Sequence, residues 1–172
     1  MGKYVACICE GGAERAILDL LLDADRLIFK REDLIEEKLL RCRNARDFER
    51  EYLGKSYSGK ITLYRILDSR SENFPLRKAY EHKVDVINVI TAPEIEMLII
   101  CNEGKYADFS KYKSDMKPSE YCKSVLGYSD VKKYDFVKEY FGDIEVLIRA
   151  LHEYRRVSKS RAGEKTIWEL VL

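Results

Sequence analysis

Long apolar runs are missing from this chain: no stretch approaches the roughly 18 consecutive apolar residues that a membrane-spanning helix requires. Charge of one sign is missing too. Lys and Arg total 31 against 30 Asp and Glu, a formal net charge of +1, so no global field draws in nucleic acid or a membrane surface. A local basic patch stays allowed. Proline and glycine are sparse, at 3 and 9 residues, and no linker, low-complexity tract or internal repeat divides the 172 residues. One domain spanning 1–172 is expected. The cysteines, Cys7, Cys9, Cys42, Cys101 and Cys122, are odd in number and lack a Cys-x-x-Cys spacing, which argues against a disulfide framework and a zinc ribbon. Neither of the two histidines, His82 and His152, falls in a motif. A Ser-His-Asp grouping, a Walker A loop and a Gly-x-Gly-x-x-Gly fingerprint are also absent, so serine and cysteine hydrolase chemistry are poor fits. Met1-Gly2-Lys3-Tyr4 leads straight into a strand pattern without a signal-peptide layout. A reducing cytoplasm is the expected location.

What is present reads as α/β. Tyr4–Cys9 is almost wholly apolar, as a strand buried on both faces of a parallel sheet should be. Glu10-Gly11-Gly12 follows as a turn, and Ala13, Ala16, Ile17, Leu20 and Leu21 recur at helical spacing. Residues 26–55 are densely charged with both signs and read as a solvated, partly helical insertion. Ile61–Leu67 and Val84–Thr91 read as the second and third strands. A short helix is expected from Ser69–Glu72, and another from about Glu94 to Asn102, with Pro93 before it and Gly104 as its stop. The rest is helical: Pro118–Leu126 closed by Gly127, Tyr134–Phe141 closed by Gly142, and a long helix capped by Asp143 that carries Ile144, Leu147, Ile148, Leu151 and Tyr154. Strands alternating with helices predict a mostly parallel sheet with right-handed crossovers and a helical C-terminal part.

In open α/β sheets the chemistry gathers where strands end and helices begin, and in this sequence that rim is acidic. Glu10 ends the first strand and Glu14 stands four residues on; Asp68 ends the second strand and Glu72 stands four on; Glu94 and Glu96 follow the third. Carboxylates gathered at helix starts would repel phosphate and one another unless a cation sits between them. Hard oxygen ligands without matching histidines suit Mg²⁺ or Mn²⁺ rather than zinc. Acidic residues in first helical turns also serve capping and the helix dipole alone. Elsewhere, Lys105, Lys111, Lys113 and Lys117 interleave with Tyr106, Phe109, Tyr112 and Tyr121. Such a segment either guides single-stranded nucleic acid or is a solvated loop pinned by its aromatics. Arg149, Arg155, Arg156, Lys159, Arg161 and Lys165 form a second basic stretch, either a backbone-contacting patch or the wet side of a helix.

Val5-Ala6-Cys7-Ile8-Cys9-Glu10-Gly11-Gly12-Ala13-Glu14 resembles the opening of a Toprim domain, a strand followed by Glu-Gly-x-x-Glu. Arg65-Ile66-Leu67-Asp68 resembles its second metal-binding strand end. Thr91-Ala92-Pro93-Glu94-Ile95-Glu96-Met97-Leu98 is similar to the helix start of Toprim-like proteins of the RloB and OLD-nuclease neighbourhood. The resemblance covers about residues 3–105, with 106–172 as a helical extension. It implies a compact, Mg²⁺-binding α/β domain and phosphodiester cleavage, in a nuclease or nuclease-like component of bacterial phage defence. Carried over, Glu10 and Glu14 would be metal ligands or general base, Asp68 the lead metal aspartate, and Glu72 and Glu96 acidic support. OLD-type nucleases use a lysine beside the metals, and Lys111 or Lys113 could take that part. The Toprim Asp-x-Asp reads Asp68-Ser69-Arg70 here. Arg70 either holds a phosphate, together with Lys105, Lys111 and Lys117, or marks a site that has lost its metal. In the latter case the chain would be a non-catalytic module binding nucleic acid or a partner protein. Implied partners are nucleic acid and, left open, a protein of a defence system or a second copy of the chain; no membrane is expected.

Overall fold

A computed structural model describes residues 4–91 and 95–172. Pro93 and Glu94, two of the residues expected to open the third acidic strand end, lie outside the described residues. Three strands, β1 (Tyr4–Cys9), β2 (Ile61–Leu67) and β3 (Val84–Ile90), form an all-parallel sheet in the order β1-β2-β3. The helices are α1 (Gly12–Asp23), α2 (Ala45–Phe48), α3 (Lys78–Glu81), α4 (Met97–Asn102), α5 (Tyr106–Phe109), α6 (Pro118–Ser124), α7 (Tyr134–Tyr140) and α8 (Ile144–Val157). The expected α/β class and parallel sheet are therefore present. Among the described residues no helix is long and apolar enough to cross a membrane.

Alternation along each strand assigns side chains to two faces. Val5, Cys7, Cys9, Tyr64, Ile66 and Val89 face a large core built with α1, α4, α6, α7 and α8. Ala6, Ile8, Ile61, Leu63 and Val84 face a second core. The partners in that second core correct the reading of 26–55. Far from being a solvated insertion, this segment supplies Ile35, Leu40, Cys42, Phe48, Tyr52 and Leu53, all buried, as the cover of the second face. Each of its Ile, Leu and Phe side chains contributes roughly 1.5–3 kcal/mol by burial, and many of the segment's charges are exposed on its outer side.

Backbone outside the sheet pairs with β1 along its edge and with β3 at its C-terminal end, which satisfies pairing groups there. Leu40 N donates to Cys7 O at 2.8 Å and Cys9 N to Leu40 O at 3.1 Å, while Ile90 N donates to Lys165 O at 2.8 Å. The helix expected from Ser69 does not form. Ser69 Oγ instead accepts from Ser71 N at 3.3 Å, a local side-chain bond that competes with helix formation, and the first helical turn after β2 is α3, beyond Pro75. The C-terminal helices match expectation closely. The Asp143 carboxylate accepts from Glu145 N at 2.9 Å and caps α8.

Candidate functional site

β1 and β2 are hydrogen-bonded neighbours running the same way, with Cys9 level with Ile66. The residues that leave their C-terminal ends therefore emerge side by side, and Glu10, Glu14, Asp68 and Glu72 line one cleft of about 80 Å³. That is far below the roughly 300 Å³ at which small-molecule pockets begin. It has room for an ion with water, not for a nucleotide base. Gly11 makes the cleft possible. It is the N-cap of α1, and a Cβ placed on it would overlap Glu14 Oε2, so the Glu14 carboxylate folds back over bare backbone. Burial, and after it the charge of Asp68, push the Glu14 carboxyl above its usual range; its own backbone N–H and Lys132 pull the other way.

The floor of the cleft is cationic. Arg65 lies on β2 level with Ile8 and Asn88, and its side chain is only 4% exposed. It donates to Glu72 Oε2 and Asn88 Oδ1, both at 3.3 Å, and its guanidinium lies 4.6 Å from the centre of the Phe74 ring. Burial draws its pKa down, while Glu72 and then Glu10 hold it up. A permanent positive charge thus sits beneath the acidic group, a feature the sequence motifs did not single out. The available signal was Arg65, a lone charge in a mostly apolar strand.

The donor chemistry of this cleft fits a hard divalent ion: carboxylate oxygens from four side chains, with Glu14 raised by burial first and by Asp68 after it. Among the described residues, however, no three Asp, Glu, His or Cys side chains converge as a ready coordination shell. Holding an ion would require these carboxylates to draw closer together.

The remaining candidates lie elsewhere. Glu96 is buried at the start of α4, with Lys132 Nζ 3.4 Å from its Oε1, and is not among the residues lining the cleft. Lys132 also acts on Glu14, so it links the two carboxylates; nothing in its spacing signalled this. Arg70 turns away from the cleft and forms a two-bond pair with Glu164, one bond at 3.1 Å. Lys113 lines a separate cavity. Lys105, Lys111 and Lys117 are exposed, and Lys111 is 3.5 Å from Asp108. The neighbouring aromatics are packed: Phe109 and Tyr121 are buried edge-to-face at 5.3 Å, and only Tyr112 stands out, 46% exposed. In the second basic stretch Arg155 pairs with Glu169 at 2.6 Å and Arg156 with Glu153 at 2.6 Å. All five cysteines are buried free thiols, and burial pushes Cys7 up to about 12, the opposite of an activated nucleophile.

No known protein family, no curated protein and no solved structure matches the chain.

Proposed function

We propose that this chain is a Toprim-like protein that cleaves phosphodiesters with the help of Mg²⁺ or Mn²⁺ at the rim where β1 and β2 end. One observation carries the reading: Glu10, Glu14, Asp68 and Glu72, distant in sequence, line a single cleft. Glu10, Glu14 and Asp68 would hold the ion. When bound, it would supply a Lewis acid and lower the pKa of an attacking water. Within the chain itself, Glu14 is the carboxyl pushed upward, which suits it to accept a proton from that water at Oε2. Arg65 fixes Glu72 and offsets part of the negative charge, so that a phosphate can approach the cleft at all. A place in phage defence rests on the sequence resemblance only. The test is nicking of supercoiled DNA, and cleavage of RNA, in Mn²⁺. Activity lost in both Glu10→Gln and Asp68→Asn supports the proposal, and activity that survives both overturns it.

A second reading, a non-catalytic Toprim-like module for nucleic acid or a partner protein, is favoured by one specific contact. Arg70, standing where the Toprim pattern has its second aspartate, is engaged with Glu164 rather than with the cleft. Calorimetry separates the readings: heat on adding Mg²⁺ or Mn²⁺ that disappears in Asp68→Asn supports the enzyme, and no heat with either ion supports the module.

A further inference from the structure

An unfilled feature with an apolar floor has no part in the acidic cleft. A cavity of about 380 Å³ opens between the end of β3, the start of α4, α5 and the C-terminal end of α8. Protein interiors close gaps of this size, and an open apolar cavity with a few polar groups at its mouth is the usual form of a small-molecule site. Its floor is Ile90, Met97, Phe109 and Tyr154, each at most 8% exposed. Tyr106 forms a wall, fixed by its hydroxyl, which donates to Val157 O at 3.2 Å.

The rim is basic. Arg70, Lys113 and Lys159 border the mouth, and among the described residues lining it Glu164 alone is acidic. Glu164 is already engaged by Arg70, and neither Lys113 nor Lys159, both exposed, has an ion-pair partner among the described residues. The hydroxyls are set with defined polarity. Ser110 Oγ donates to Tyr106 O at 2.8 Å and Ser158 Oγ to Arg155 O at 3.4 Å, so each is left with acceptor capacity. Ser160 Oγ accepts from Arg155 at 2.8 Å and keeps a proton to donate. Aromatic walls select a flat ring, hydroxyl acceptors select a ring bearing N–H groups, and two free ammonium groups select an anion attached to it.

From this geometry we propose that the cavity binds a nucleobase carrying a phosphate, with the base between Tyr106, Phe109 and Tyr154 and the phosphate between Lys113 and Lys159. The source is either a free nucleotide or the terminal nucleotide of a strand. The proposal does not depend on the acidic cleft, and its test is run in EDTA so that metal plays no part.

The experiment is calorimetric titration of the intact chain with the four nucleoside 5′-monophosphates, the four nucleosides and inorganic phosphate. At least one monophosphate should bind with Kd below about 1 mM, the weak end of specific binding, and its nucleoside and inorganic phosphate should each bind at least about tenfold more weakly. Exposed residues are chosen for substitution so that the fold persists. Lys113→Glu with Lys159→Glu should weaken the monophosphate about tenfold or more, while Glu10→Gln should leave it unchanged. A 5′-phosphorylated trinucleotide that displaces the mononucleotide assigns the site to a strand end. One that does not assigns it to the free nucleotide, and either result agrees with the proposal. Binding of none of the four monophosphates, equal binding of inorganic phosphate, or indifference to the double charge reversal overturns it.

Discussion

Arg65 and Glu72 meet at 3.3 Å across a steep gradient of exposure, the guanidinium side chain 4% exposed and the carboxylate side chain 44%. The buried partner is the cation, so the pair acts less as a bond than as a positive floor beneath Glu10 and Glu72, whose charges both favour its ionised form. Arg65→Met keeps the packing against Phe74 and removes that floor. It is expected to cost about 1–2 kcal/mol at pH 7, where the carboxylates repel one another uncompensated. The loss should shrink as the pH falls through the carboxylate range and the acids protonate. Urea unfolding at pH 7 and pH 4 checks this; an equal loss at both pH values would locate the effect in packing instead.

Glu14 carries the opposite sign. Its folded carboxyl is raised above the usual value, by burial first and Asp68 second. A raised acid costs the folded state stability at every pH above its unfolded pKa, and that cost vanishes only once the pH drops below it. Glu14→Gln keeps an acceptor for the backbone N–H and removes the charge. The variant should therefore be more stable than the parent at pH 7, by about 0.5 kcal/mol or more, with no gain at pH 3. Thermal unfolding at the two pH values reads this directly. Stability gained by removing one carboxylate while nicking is lost would be the trade expected of a working site.

The sheet was legible because strand and helix periodicity are local properties: β1 and β2 fall where their apolar runs begin and end. The convergence of Glu10 with Asp68 was legible as well, since neighbouring parallel strands bring their ends together. Other features were not. The charge density of 26–55 concealed that Leu40, Phe48 and Leu53 form a face of the core, because the segment is irregular and its apolar residues follow no single period. The partners of Arg70 and Glu96 were also hidden. Glu164 and Lys132 lie 94 and 36 positions further along, and a side chain's choice among distant countercharges is set by tertiary packing.

The Arg70–Glu164 pair ties the loop after β2 to the segment beside the β3 edge. Arg70's side chain first, and then the backbone N–H of Arg161, hold the Glu164 carboxyl down at about 2. An acid whose folded pKa lies below its unfolded value of about 4.3 stabilises the fold above the latter, and the contribution is lost as the pH falls toward the former. The melting temperature of Glu164→Gln should accordingly lie below that of the parent at pH 6, with the gap narrowing steadily between about pH 4.5 and pH 2. A gap that stays constant throughout acidification would show that the pair adds nothing by charge.

Gly11 offers the sharpest separation of fold from site. Its backbone, at φ −72° and ψ 146°, is open to any L-residue, so alanine there meets no conformational strain. The obstacle is the Glu14 carboxylate, which occupies the space a Cβ would take and stands at the flexible end of a side chain that can swing aside. Gly11→Ala should consequently fold with a loss of less than about 1 kcal/mol, yet displace the Glu14 carboxyl, which burial and Asp68 raise. Cleavage, if Glu14 takes part in it, should fall toward the level of Glu14→Gln. The double variant Gly11→Ala, Glu14→Gln should be no worse than Glu14→Gln, because both changes act through the same carboxylate. A Gly11→Ala chain that cleaves normally while Glu14→Gln does not would mean that Glu14 works from another rotamer than the one folded over the glycine.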